Sequence, residues 1–492
     1  MLLLSIRCIK SPKGAKRKNT ILRADRSVLQ RLIVAYGAGR EVDLHNVLSH
    51  ELMSLPISLA DTNGKLRTGQ NALLADVLTR GIECPSAIDL QGSACLLIDG
   101  MALVAAVGKP ADAQTFGAYA DRFQDAVLRA DRYEKSSIKA GTRERRTRTI
   151  RPVRRVIENK NVPLPNSWSK FLALPENKEN LAKFLSEHLI ANAPQEKVIV
   201  VAGGFSDGKE AQSSNQLVDS SLLCADHEEA DTRLVLHAIV NSCDTVVVSA
   251  RDTDVLLLLV AHLPSMPSAN VWMMAGTAAR RKFFNIRAIS ENHPAGSLSA
   301  LLPFHALTGC DTTSYISNHS KLSAWKTFQD KHYLLAWLGE GELSANKVRD
   351  AEKFICAIYT CGHMESVNDA RVLPFSKTKK PEALHPIKDA LELHIKRVHD
   401  QSLVWKQASC QDPILPNPDE MGWKRESEGG SKLVPLLMTK EPIPNACKEI
   451  ISCSCKSGCT TLRCGCKKAN LFCTGVCGCS VDEKISKNKC DK

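Results

Sequence analysis

The sequence predicts an α/β protein, a mainly parallel sheet with helical extensions and a small C-terminal cysteine-rich module. Three observations lead there. Short apolar runs alternate with helix-period patterns. Carboxylates or paired glycines follow those runs directly. Eight cysteines crowd into residues 453–479.

Residues 1–92 read as helical and irregular, with apolar spacing at 28–34 and 46–55. Ala94-Cys95-Leu96-Leu97-Ile98 is a run that suits a buried parallel strand, and it ends in Asp99-Gly100. A second run, 197–202, ends in Gly203-Gly204, and a third, 245–249, ends in Arg251-Asp252-Thr253-Asp254. Helix patterns fall between them at 116–127, 177–190 and 228–240. Pro152 and Pro163-Leu164-Pro165 separate a basic stretch from the helix pattern at 177–190. Residues 321–361 and 381–408 read as helical, and 411–445 are rich in Pro, Gly and charge. The expected divisions are a helical region at 1–92, the sheet domain at 93–325, a helical extension at 326–410, a linker at 411–446 and the cysteine module at 447–490. No internal repeat is found.

The chain has 492 residues, 43% of them hydrophobic, enough for a sizeable core. Its net charge is +12, and residues 132–160 hold eleven Lys/Arg against three Glu. Such a strip suits a polyphosphate partner, although a solvated basic linker has the same composition. The Met-Leu-Leu-Leu-Ser-Ile start is too short for a signal core. Of 19 cysteines, nine are scattered, as expected of a reducing, intracellular compartment. The longest apolar run, 255–261, cannot span a bilayer, so no membrane association is expected. Lys13-Gly14-Ala15-Lys16-Arg17-Lys18 reads as a nuclear signal, which makes nuclear the expected location. The oligomeric state stays open.

In open α/β sheets the cleft lies beyond the carboxyl ends of the strands. Asp99, Asp252 and Asp254 follow two strands there. Glu228 and Asp231 share a helix face at i, i+3, and Asp311 sits in Thr308-Gly309-Cys310-Asp311, where the glycine permits a tight turn. Gathered carboxylates repel unless cations neutralise them. Mg²⁺ or Mn²⁺ takes oxygen ligands, pairs with phosphate and activates water.

The order of these acids resembles that of PIN-like nucleases of the flap-endonuclease (XPG) family over about 93–325. The matching positions are Asp99, Asp131, the basic arch with Lys139, Arg145 and Arg146, Glu228 and Asp231, Asp252 and Asp254, and Asp311. The resemblance implies a nuclease that binds catalytic metal through those acids and orients phosphate with Lys139 and Arg145. Three features differ from that family. Arg129 lies within the expected strand before Asp131, the paired acids are i, i+3 rather than i, i+2, and Tyr315-Ile316-Ser317-Asn318-His319-Ser320-Lys321 lacks the glycines of a helix-hairpin-helix. The strings His227-Glu228-Glu229-Ala230-Asp231-Thr232-Arg233, Ser249-Ala250-Arg251-Asp252-Thr253-Asp254-Val255-Leu256 and Leu307-Thr308-Gly309-Cys310-Asp311-Thr312-Thr313-Ser314 also resemble a group of animal proteins found near mobile-element sequence. That group joins this fold to a CXC module.

Cys453, Cys455, Cys459, Cys464, Cys466, Cys473, Cys477 and Cys479 have the spacing of a zinc cluster. Four thiolates per zinc fold short segments that have little core of their own; disulfides, the alternative, do not suit the expected compartment. With Lys456, Arg463, Lys467 and Lys468 between the ligands, the segment resembles the tesmin-like CXC domain. Relatives of that kind hold three zincs with nine cysteines, and many bind DNA. Here the ninth ligand is Cys447 or Cys490, or else two zincs bind.

Two further signals fail on chemistry. Gly203-Gly204-Phe205-Ser206-Asp207-Gly208-Lys209 nearly spells a P-loop, but Glu210 follows where a Ser or Thr should meet Mg²⁺. His227-Glu228-x-x-Asp231 has Asp where a metalloprotease helix needs its second His. The leading expectation is a metal-dependent nuclease tethered to nucleic acid, DNA in particular, by a zinc module. The alternative is a catalytically inactive DNA-binding or chromatin protein that keeps the fold.

Overall fold

The computed structural model describes residues 44–51, 53–90, 92–130, 153–227, 229–276, 280–371, 384–426, 433–442, 455 and 459–468. The chain divides into two compact units. One comprises Asn71–Leu302 with Ser402–Leu415; the other comprises Met1–Gln70, Pro303–Gln401 and Pro416–Lys492.

The first unit is α/β. Strands β1 (Ala94–Ile98), β4 (Thr245–Ser249), β5 (Asn270–Ala275) and β6 (Lys282–Asn285) form one sheet in the order β1-β4-β5-β6. The β1/β4 and β4/β5 pairs are parallel, and β6 closes one edge antiparallel to β5. Thr245 through Val248 are buried, as a central parallel strand covered on both faces requires. Helix α1 (Gly100–Val107) follows β1, and α2 (Phe116–Ala130) and α3 (Pro175–Ala191) pack with it around Val104, Phe116, Tyr119, Phe123, Phe171, Leu181 and Leu185. Helix α4 (Ala230–Val240) packs on α5 (Thr253–His262) and on β1, and α5 buries 254–260 without a break. A helix apolar on all sides belongs inside.

Two expectations change here. The 197–202 run does not join the parallel sheet. Only β2 (Val200–Ala202) forms, paired antiparallel with β3 (Ala211–Ser213). Gly203 and Gly204, at φ 82° and 79°, reverse the chain, and Gly203 N–H donates to Glu210 C=O. A hairpin therefore forms where a crossover was expected. The parallel neighbour of β4 is instead β5, whose Asn-Val-Trp-Met-Met-Ala sequence lacks a β-branched run. The residues before Asp131 also differ, because 127–130 end helix α2 rather than forming a strand. Phe116, Tyr119, Ala120 and Phe123 recur at helical spacing and bury one face in the α1–α3 core.

The second unit is mainly helical, with α6 (Lys321–Lys331), α7 (Ala345–Ile358) and α8 (Lys388–Lys406, its last residues belonging to the first unit). Phe304, Trp325, Phe328 and Phe354 form its aromatic core. Within the stretch expected as a linker, β7 (Trp423–Arg425) pairs with β8 (Leu433–Pro435). Arg397 Nη1 donates to the carbonyls of Gly422 and Leu436 at 2.9 and 2.8 Å. Among the described residues no helix is long and apolar enough to cross a membrane.

Candidate metal centre

Five carboxylates collect at one edge of the sheet in the first unit. Asp99 follows β1 and caps α1, its Oδ1 accepting the amides of Met101 and Ala102 at 2.9 and 3.0 Å. Asp252 follows β4 and caps α5, accepting the Asp254 amide at 3.2 Å. Asp254 is buried in the first turn of that helix. Register places Ile98 beside Ser249, so the two chain exits that carry Asp99 and Asp252 are neighbours. Glu229 occupies the N-cap position of α4 and Asp231 its first turn. Three helix N-termini thus meet the ends of two parallel strands. Capping favours Asp at such positions, and the positive helix ends favour negative charge.

Asp231 records the crowding. Burial first, and then the charges of Asp252, Asp254, Glu229 and Asp99, raise its pKa from 3.8 to about 7. The donor set is entirely oxygen, which fits a hard divalent cation. A cation there would relieve the repulsion that burial leaves uncompensated.

Glu229, not singled out from sequence, belongs to this group. Its carboxylate does not cap its own helix; Oε2 accepts the indole N–H of Trp405 at 3.1 Å. Trp405 is held in turn by His262 Nε2, which donates to its carbonyl at 2.8 Å. Donation to a carbonyl places a proton on Nε2, and burial lowers the His262 pKa against the opposing pull of that hydrogen bond. The Gly203–Lys209 loop is occupied structurally. Arg233 donates to the Gly208 and Lys209 carbonyls, and Lys209 pairs with Asp226 and Asp412 at 2.8 and 3.2 Å.

Asp311 belongs to the other unit, where it is exposed in the Gly-Cys-Asp turn. Gly309 has φ 104°, and a Cβ there would meet the Tyr315 amide nitrogen at 2.6 Å. The Cys310 amide donates to Thr313 Oγ1 at 3.0 Å, sealing the loop. Asp131, Glu228, Lys139 and Arg145 lie outside the described residues.

In the cysteine module the thiols of Cys455, Cys459 and Cys464 lie within 4.8 Å of one another, a group that could hold a metal ion. Cys459 and Cys464 are buried, and Cys459 takes a left-handed φ of 51°. Lys467 Nζ closes the turn by donating to the Thr460 carbonyl at 2.6 Å. Three soft donors at this separation fit a tetrahedral thiophilic ion. Cys447, Cys453, Cys473, Cys477, Cys479 and the Cys466 side chain lie outside the described residues.

Comparison of the chain with family models, with curated proteins and with solved structures gave no match.

Proposed function

We propose that the chain is a PIN-like, metal-dependent nuclease of the flap-endonuclease type, joined to a tesmin-like CXC module that binds two or three structural zinc ions and tethers it to nucleic acid, DNA in particular, in the nucleus. The observation that carries this reading is the meeting of Asp99, Glu229, Asp231, Asp252 and Asp254 at the carboxyl ends of β1 and β4. Negative charge gathered around a buried carboxyl such as Asp231 is costly to keep unless a cation uses it. Mg²⁺ or Mn²⁺ bound there supplies charge stabilisation at phosphorus and a nucleophilic water. The chain's own part is to hold those oxygens in place. Helix caps fix Asp99 and Asp252, and the Trp405 indole fixes Glu229. Asp131 and Glu228, outside the described residues, complete the acidic set in this reading, and Lys139 and Arg145 orient the phosphate.

A second reading, a catalytically inactive DNA-binding CXC protein, draws on two observations. Helix α2 runs through 130 where the nuclease pattern has a strand. Asn318, rather than a glycine, takes the left-handed conformation (φ 66°) in the 315–321 segment.

Cleavage of labelled single-stranded, duplex and flap DNA and RNA with Mn²⁺ or Mg²⁺ separates the two. The parent is expected to cut at least one substrate, and an Asp252→Ala, Asp254→Ala variant to be slower by at least about a hundredfold, the scale of lost transition-state charge stabilisation. If neither protein cuts and both shift DNA only when zinc is present, the second reading replaces the first.

A further inference from the structure

The carboxyl edge of the sheet carries a second group of charges, of opposite sign. Register aligns Ser249 with Met274, and Ala275 with Lys282 across the antiparallel pair. The Ala250 amide donates to the Met274 carbonyl at 3.1 Å, tying the exit of β4 to the end of β5. Arg251 is the next residue. Beyond β5, Gly276 (φ 92°) lies so close to the returning chain that a Cβ on it would meet the Arg280 carbonyl at 2.2 Å. That approach holds the Arg280–Arg281 backbone at the end of β5, and Lys282 opens β6.

Along the edge, the order is therefore carboxylates over β1 and β4, followed by Arg251, Arg280, Arg281 and Lys282 over β4, β5 and β6. Arg251, Arg280 and Lys282 are exposed and Arg281 is half-buried. None of the four makes an ion pair among the described residues. They are unlike Lys209, Arg122 and Arg371, whose charges are matched by acids in their own surroundings.

We propose that Arg251, Arg280, Arg281 and Lys282 form a phosphate-binding rim that holds the backbone of a nucleic-acid strand beside the carboxylate centre. The proposal rests on the metal-site reading above and names its substrate class, an oligonucleotide rather than a mononucleotide or small phosphoester. Strands lie about 4.8 Å apart, so the two spacings from β4 to β6 make a row of roughly 10 Å. A single phosphate cannot occupy that length, whereas successive phosphates of one strand can. Guanidinium groups suit the task because they stay charged and grip phosphate through two N–H donors at once. Cations beside a carboxylate cluster also lower the repulsion that a polyanion meets on approach.

The test is fluorescence-anisotropy titration of the full chain, zinc-loaded, in Ca²⁺ to slow turnover. The probes are labelled single-stranded and duplex 20-mers and a labelled mononucleotide. An Arg251→Gln, Arg280→Gln, Arg281→Gln, Lys282→Gln variant is expected to bind the 20-mers at least tenfold more weakly than the parent. Its plot of log affinity against log salt should be shallower by about 2 to 3 for the single strand, the release expected from four phosphate contacts. Mononucleotide binding should not change. Arg251→Gln and Arg280→Gln alone, at exposed positions, should each give part of the loss, which covers the case in which the fourfold variant folds poorly. Unchanged affinity and slope in the single variants and in a folded fourfold variant would overturn the rim, even if the parent cuts nucleic acid. A parent that never cuts, yet whose rim variants bind more weakly with a shallower slope, would support the rim and remove only the nuclease reading. Equal losses for the mononucleotide and the 20-mers would overturn the proposal by showing a single-phosphate site.

Discussion

At the scale of single residues, Asp231 connects the geometry to a measurable quantity. Its folded pKa, about 7, stands above the ordinary 3.8. Between those values the folded chain keeps a proton that the unfolded chain releases. Stability from this group is therefore fully present below about pH 4 and is lost as pH rises through 7. Without divalent cation, Asp231→Asn should raise the melting temperature at pH 8 by about 2–4 °C, the response to roughly 1 kcal/mol in a unit of this size. At pH 4 the two proteins should melt together. Differential scanning fluorimetry at both pH values checks this, and an equal gain at both would contradict it. Added Mg²⁺ or Mn²⁺ should stabilise the parent more than the variant. Asp99, Asp252 and Asp254 were legible from sequence because a strand end followed by Asp is also a helix cap. Glu229 was not. In His227-Glu228-Glu229-Ala230-Asp231, helical spacing favours Glu228, and only the observed helix start at Ala230, two residues later, makes Glu229 the cap residue. Trp405, its partner, is 176 residues away and leaves no local signal.

Single elements show where pattern reading works and where it stops. A run such as Thr-Val-Val-Val-Ser announces β4 by β-branched content alone. The Lys197–Ala202 run looked equivalent, yet the two left-handed glycines after it decide its pairing, and a run of side chains does not encode its partner. β5 was missed for the opposite reason, since Trp and Met serve helices and strands alike. The turn after Leu307 was legible, because Gly309 in a Gly-Cys-Asp string implies a conformation that other residues avoid. Gly309→Ala forces a Cβ against backbone at 2.6 Å as well as an unfavourable φ. It should cost about 2–3 kcal/mol. Gly81→Ala, at φ 80° but with nothing within 4 Å, should cost only the conformational part, about 1 kcal/mol. Urea unfolding of the two variants measures the difference, and equal costs would mean that the 307–315 turn yields more easily than its geometry implies.

At the scale of the whole molecule, mixed α/β character and a compact cysteine group that could hold a metal ion follow from composition and periodicity. The division into two units, each built from separate stretches of chain, does not. Sequence reading favours contiguous domains because adjacent residues are all it sees. The cysteine module makes the most direct prediction at this level. Elemental analysis of the purified full chain should find two or three zinc ions. Cys459→Ser or Cys464→Ser should lower that number by at least one, since each removes a thiolate from the group within 4.8 Å. Stoichiometry unchanged in both variants would exclude these thiols as ligands.

The pairing of β1 with β4 has a consequence for how the chain is made. Ala94 lies opposite Thr245, 151 residues later. A ribosome adding 5–20 residues per second needs about 8–30 s to cover that interval. Throughout it, β1 has emerged without the strand that will cover its ladder of amides and carbonyls. A bare apolar strand edge is a site of mispairing, so the nascent chain is most exposed to aggregation while the residues between β1 and β4 are being made.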